Sequence, residues 1–124
     1  MKTVLIADDE PDQIATLESF LSQRGYKVIT AVNGKQAFSK AVEFLPHLII
    51  LDIVMPEMDG TELAMALKND ARTKRIPIFF VTALLSAEDQ PGATENPNLI
   101  FSKPVSLIDL LEAVQKATAD PVIG

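Results

Sequence analysis

The stretch from Leu48 to Gly60 constrains this chain more than any other. Leu48, Ile49, Ile50 and Leu51 form an unbroken apolar run, and a carboxylate, Asp52, follows at once. A short apolar run with branched residues, bounded by turn signals, reads as a strand buried on both faces, as in a parallel sheet covered by helices. Asp52 then stands where that strand ends. A charge there is costly inside a core, but open α/β sheets place their ligands at the carboxyl ends of their strands. Met55-Pro56 and Asp59-Gly60 turn the chain away. Taken alone, Asp52 reads most simply as an acid that caps a turn.

The remaining chain alternates strand and helix patterns. Thr3 to Ala7 is a short β-rich run that ends in three acids, Asp8, Asp9 and Glu10. Pro11 suits the first position of a helix, Ile14, Leu17 and Leu21 recur at helical spacing, and Gly25 is a natural stop. Tyr26 to Ala31 reads as a second strand, polar enough for a sheet edge. Asn33 is placed to cap a second helix, with Ala37, Ala41, Phe44 and Leu45 as its apolar face and Pro46 as its end. A third helix is predicted over Thr61 to Asp70, with Leu63, Ala66 and Leu67 inward, followed by a solvated polar connection from Ala71 to Arg75. Ile78 to Val81 is a fourth strand ending at Thr82. Leu99 to Phe101 is a fifth, ending at Ser102, Lys103 and Pro104. Ser106 with Asp109 has capping-box spacing before a last helix that carries Leu107, Leu110, Leu111 and Val114. Another helix belongs between Leu84 and Asn98, but Pro91, Gly92 and Pro97 predict a short or irregular one. The alternation predicts an α/β domain with a parallel sheet over residues 1–119, and residues 120–124 read as a tail or the start of a linker.

Composition narrows the function classes. The chain has 124 residues, 48% hydrophobic, which suits one domain with a real core. Its net charge of −6 argues against non-specific nucleic-acid binding. It has no cysteine, so disulfides and thiolate metal sites are excluded. Met1-Lys2-Thr3 leads straight into a strand rather than a signal peptide, and no apolar run approaches the ~20 residues that span a bilayer. No membrane association and a cytoplasmic location are expected.

Four strand ends carry reactive groups: Asp8 with Asp9, Asp52, Thr82 and Lys103. In a parallel sheet all carboxyl ends lie on one edge, so these residues converge. Gathered carboxylates repel one another, and a hard divalent cation such as Mg²⁺ relieves that repulsion through carboxylates, waters and phosphate oxygens. A lysine ammonium and a hydroxyl suit the remaining phosphate oxygens. Asp52 is left as a carboxylate nucleophile able to form an acyl phosphate.

These residues resemble the receiver domains of two-component response regulators, from Lys2 to about Ala117. The resemblance is carried by Val4-Leu5-Ile6-Ala7-Asp8-Asp9-Glu10-Pro11, Leu51-Asp52-Ile53-Val54-Met55-Pro56, Met58-Asp59-Gly60, Val81-Thr82-Ala83 and Lys103-Pro104. It implies a flavodoxin-like, doubly wound, five-stranded parallel sheet of order 2-1-3-4-5 with helices on both faces. It implies a signalling phosphoacceptor rather than an enzyme. Asp52 accepts a phosphoryl group from the phosphohistidine of a histidine kinase or phosphotransfer protein, and so switches a downstream protein or output domain. Asp9, Asp52 and the Val54 carbonyl hold Mg²⁺ directly, Asp8 helps through water, and Thr82 and Lys103 meet the phosphoryl group. Two positions depart from the usual pattern. Ile100 stands three residues before the lysine, where Tyr or Phe is common (Phe101, one place later, is expected on the opposite face of its strand), and Val105 stands where an aromatic commonly follows Lys-Pro. Val54 and Leu84, two residues after Asp52 and Thr82, are both apolar and offer no hydrogen bond to an attacking water, so a slow loss of phosphate is expected.

The competing readings fit less well. A haloacid-dehalogenase-type phosphatase needs a second Asp two residues after its nucleophile, where Val54 stands. A flavodoxin-type cofactor binder needs a Ser/Thr/Gly-rich loop after the first strand, where this chain is acidic. An unphosphorylated scaffold has no need of the full Asp8, Asp9, Asp52, Thr82 and Lys103 set. His47, the sole histidine, is read as a solvated loop residue.

Overall fold

The computed structural model describes residues 2–53, 55, 58–82, 99–102 and 106–119. In chain order these form β1 (Thr3–Ala7), α1 (Pro11–Gln23), β2 (Lys27–Ala31), α2 (Gly34–Phe44), β3 (Leu48–Asp52), α3 (Gly60–Lys68), β4 (Ile78–Thr82), β5 (Leu99–Ser102) and α4 (Leu107–Thr118). All strand pairs are parallel, in the order β2-β1-β3-β4-β5. This is the doubly wound sheet expected from the alternation, with the more polar β2 at one edge as anticipated.

The strand period of two divides the core into two layers. Val4, Ile6, Leu48, Ile50, Phe79 and Val81 face one way and pack against Ile14, Leu17 and Leu21 of α1 and Leu110 and Val114 of α4. Leu5, Ala7, Ile49, Leu51 and Ile78 face the other way and pack against Ala37 and Ala41 of α2 and Leu63 and Leu67 of α3. The central strand β3 is buried along its whole length, which is why it reads as an unbroken apolar run rather than an alternation. Full burial of each such side chain contributes about 1.5–3 kcal/mol. Phe101 packs on the first layer, its ring 5.6 Å from that of Phe79, on the face that strand alternation assigns to it.

Helix ends follow the chemistry of their residues. Pro11 opens α1, and Gly25, at φ +93°, closes it in a conformation that favours glycine. Asn33 caps α2 through Gln36 N–H at 2.8 Å, and Ser106 caps α4 through Asp109 N–H at 3.4 Å. The second helix ends differently from expectation. Helical spacing predicts Phe44 and Leu45 on its apolar face, but they are 45% and 52% exposed. The helix stops at Phe44, and Leu45 takes the left-handed cap at φ +46°, which turns it off the buried stripe. The third helix spans Gly60–Lys68 rather than Thr61–Asp70, and Ala66 is half-buried.

The connection after α3 is more ordered than its polar sequence implies. Arg72 grips the Asp70 carboxylate in a two-pronged ion pair, with N···O distances of 3.0 and 2.7 Å. Thr73 is fully buried, and its hydroxyl donates to the Leu67 carbonyl at 2.7 Å, tying the loop to the last turn of α3. At the far end of the chain, the Tyr26 hydroxyl and the Thr118 hydroxyl are 3.1 Å apart, which joins the start of β2 to the end of α4. The segment between Leu84 and Asn98, where an irregular helix is expected, lies outside the described residues.

Candidate functional site

The site is set by strand register. Ala7 of β1 lies beside Leu51 of β3, so Asp8 and Asp52 are the next residues along neighbouring strands. Asp52 in turn pairs with Val81, which places Thr82 one step further along β4, beside Ser102 at the end of β5. Lys103 follows Ser102 in the chain. Lys103 and Val54 lie outside the described residues.

Asp8 and Asp52 are only 3% and 6% exposed. A carboxylate so placed is costly without compensating charge or hydrogen bonds. Asp8 extends the sheet by donating its N–H to the Ala31 carbonyl at 3.1 Å. Its carboxylate accepts the Glu10 N–H at 2.9 Å, which folds the β1–α1 loop tightly and leaves Asp9 and Glu10 exposed at the rim. The effect is to bring four carboxylates, from Asp8, Asp9, Glu10 and Asp52, to within 4.8 Å of one another.

The start of α3 lies against the end of β3. Gly60 N–H donates to the Ile53 carbonyl at 2.7 Å, and the space where a Cβ would stand at Gly60 is filled by the Asp52 carbonyl. Asp59, just before it, has a different task. Its carboxylate accepts the Glu62 N–H at 2.9 Å and the Thr61 hydroxyl at 2.7 Å, capping α3. Those hydrogen bonds, the Glu62 one foremost, hold the Asp59 carboxyl below its ordinary range.

The structure thus brings together the three acids singled out from the sequence, Asp8, Asp9 and Asp52, and sets Thr82 at the neighbouring strand end. It adds Glu10, which the sequence reading did not assign to a cation. The signal was present, because Glu10 ends the acidic run, but a Glu at the start of a helix looks like an ordinary first-turn acid. As the N-cap of α1 it makes no side-chain cap, and its carboxylate lies with the other three.

The donor set suits a hard cation. All four groups offer carboxylate oxygens, and Mg²⁺ binds such oxygens at about 2.0–2.1 Å while keeping several waters. Opposite ligands of such an ion stand about 4.2 Å apart, so a spread up to 4.8 Å fits a hydrated ion held partly through water. His47 is elsewhere, exposed at the amino edge of β3, where its Nδ1 accepts the Thr3 N–H at 3.0 Å.

Known proteins similar to this chain in sequence and in fold agree with one another. A family model described as the response regulator receiver domain matches residues 4–115. The chain is 34% identical over 116 residues to response regulator PleD of Caulobacter vibrioides, covering 93% of this chain but only 26% of that protein. It is 31% identical over 120 residues to protein PilH of Pseudomonas aeruginosa, covering 96% of this chain and 99% of that one. It therefore spans about a quarter of some relatives and nearly the whole of others. Among solved structures, chemotaxis protein CheY4 of Vibrio cholerae superposes with a TM-score of 0.81 at 30% identity, covering 94% of this chain and 98% of that one. With the sheet order, the two helix layers and the acidic strand ends already described, the match over nearly its whole length means that this chain belongs to the response regulator receiver domain family.

Proposed function

We propose that this chain is a Mg²⁺-dependent phosphoacceptor, with Asp52 as the residue that carries the phosphoryl group. The observation that carries this reading is the near-complete burial of Asp52 at the end of the central strand, within 4.8 Å of three other carboxylates. An Asp52 oxygen forms a bond to phosphorus as the N–P bond of a donor phosphohistidine breaks, and the electron pair returns to the imidazole. Mg²⁺, when bound, offsets negative charge on the phosphoryl oxygens and on the carboxylates around them. Asp9, Asp52 and the Val54 carbonyl are its proposed direct ligands, and Asp8 orients its water. The roles proposed for the Thr82 hydroxyl and the Lys103 ammonium are to hold the phosphoryl oxygens, so that charge is met where it develops.

The phosphoryl donor is a histidine kinase or phosphotransfer protein, and the phosphorylated form switches a downstream protein or an output domain. The receiver unit occupies residues 1–119, and 120–124 form a tail or the beginning of a linker. The domain binds neither nucleic acid nor membrane directly, and it works in the cytoplasm. Among the described residues, no helix is long and apolar enough to cross a membrane.

Incubation with Mg²⁺ and acetyl phosphate, followed by intact mass, tests the assignment. Wild type gains one phosphoryl group, and Asp52→Ala and Asp52→Asn gain none. Uptake by Asp52→Ala as strong as wild type overturns it. The lifetime of the product depends on water reaching phosphorus in line with the acyl bond. Val54 and Leu84 offer that water no hydrogen bond, so purified phosphoprotein loses phosphate more slowly than Val54→Asn or Leu84→Glu. Equal decay rates remove this apolar-gate reading while leaving Asp52 in place.

A further inference from the structure

The loop that leaves Asp52 is pressed against a second glycine, far from the acidic group in sequence. Gly34 is the first residue of α2 and is buried. A Cβ built there would clash with the Met58 carbonyl oxygen, and would lie 2.6 Å from Met58 Cβ and 2.9 Å from the Met58 carbonyl carbon. Real Cβ atoms essentially never come closer than 3.0 Å to such neighbours. Something has to move when Gly34 gains a side chain.

The side of α2 is held in place. The Asn33 carboxamide accepts the Gln36 N–H at 2.8 Å, and the Gln36 carboxamide accepts the Val32 N–H at 2.9 Å, so the first turn is capped reciprocally. The neighbour on the other side is backbone rather than the end of a flexible side chain. Met58 is followed by Asp59, which caps α3, and by Gly60, whose N–H holds the Ile53 carbonyl and whose Cα faces the Asp52 carbonyl. A push on Met58 thus runs along two residues to the backbone of Asp52.

We propose that Gly34 is a positioning residue for the phosphoacceptor: the absence of its side chain seats the Met58 backbone and so keeps Gly60 against the backbone of Asp52. It acts through Met58 and Gly60 and touches neither cation nor phosphoryl group. The inference rests on the reading of Asp52 as a Mg²⁺-dependent phosphoacceptor. It extends that site to the start of α2, an element that supplies no acid to it.

The opposing expectations separate cleanly in Gly34→Ala. Helix propensity favours alanine over glycine in an exposed helix, so an effect confined to α2 would stabilise it or leave it unchanged. Displacement of the loop instead weakens cation binding by about tenfold, the scale on which supporting residues around metal sites act. Gly25→Ala is the control, since Gly25 has nothing within 4 Å of its Cβ position and only its positive φ to lose. That variant is less stable but binds Mg²⁺ like wild type.

The measurements use the full chain: calorimetric titration with Mg²⁺, thermal melts in chelator, and phosphate uptake from acetyl phosphate across Mg²⁺ concentrations. For Gly34→Ala we expect a higher half-saturating Mg²⁺ concentration and uptake that recovers towards wild type when Mg²⁺ is raised. Wild-type Mg²⁺ binding by a folded Gly34→Ala overturns the proposal. If that variant does not fold, amide exchange in wild type decides: Mg²⁺ should slow exchange at both Gly60 and Gln36, and an effect that stops at Gly60 overturns it. Failure of wild type itself to bind Mg²⁺ or take up phosphate is a separate result, which overturns the underlying reading of Asp52 and this inference with it.

Discussion

The two ends of β3 and its neighbours treat their acids in opposite ways. At the carboxyl edge, Asp8, Asp9, Glu10 and Asp52 are gathered with one another. In the connection that leads into the amino edge of β4, Asp70 is gathered with a cation of the same loop, Arg72, in a two-pronged pair at 3.0 and 2.7 Å. The second arrangement completes itself within three residues and serves the fold. The first concentrates like charge, and on the function proposed above a bound cation relieves that cost. The comparison separates the two kinds of acid by what the chain places beside each: Asp8 and Asp52 stand buried at strand ends among other carboxylates, and Asp70 stands in a polar turn beside its own arginine.

The largest test of this contrast is Asp9→Asn. It should weaken Mg²⁺ binding by at least about tenfold, read by calorimetric titration. In chelator the same substitution should raise stability by about 1 kcal/mol, because it removes one of four mutually repelling charges. A loss of stability in chelator would show that Asp9 serves the fold and would break the comparison. The next effect belongs to the other region. Thr73→Val should cost about 1–2 kcal/mol in denaturant melts, because it leaves the Leu67 carbonyl without its buried hydroxyl partner, yet leave Mg²⁺ binding untouched.

Smaller again is Glu10→Gln. Glu10 is exposed, and its carboxylate acts at the rim of the group, so Mg²⁺ affinity should fall by about threefold with little change in phosphate uptake at saturating Mg²⁺. Unchanged affinity would reduce the effective group to three acids. The smallest effect is that of Asp70→Asn, and it has a defined pH course. Chiefly through its hydrogen bond from Arg72, the Asp70 carboxyl is held at about 2, below its ordinary 3.8. The stability this lends is present above about pH 4 and is lost as pH falls towards 2. Melting curves of wild type and Asp70→Asn should therefore differ at neutral pH and converge on acidification. The Arg72 side chain is exposed, so added salt should shrink the difference.

Much of this was legible in the sequence because parallel strands buried on both faces leave an unmistakable trace. Thr3–Ala7 and the run from Leu48 fall where they were expected, and Asp8, Asp9 and Asp52 meet because strand ends in a parallel sheet share an edge. What the sequence hid was of two kinds. Phe44 and Leu45 look like a continuing apolar stripe, and only the left-handed turn at Leu45 shows that the helix has already ended. The close seating of Gly34 on Met58, the buried hydroxyl of Thr73 and the convergence of Glu10 depend on contacts between elements, and neither periodicity nor motif spacing encodes them.

The hydrogen bond between Tyr26 and Thr118 has a consequence for longer proteins built on this fold. It pins the end of α4 beside the start of β2, at the edge of the sheet opposite Asp52. A five-residue strand such as β3 is about 17 Å long, so anything joined after Ala119 departs from the far side of the domain. In such a protein the joint and the chemistry are separated by the full depth of the sheet. On the role proposed for Asp52, a module attached there is reached through the body of the domain, as a handle feels the blade through its tang, unless the connecting chain is long enough to reach back around the outside.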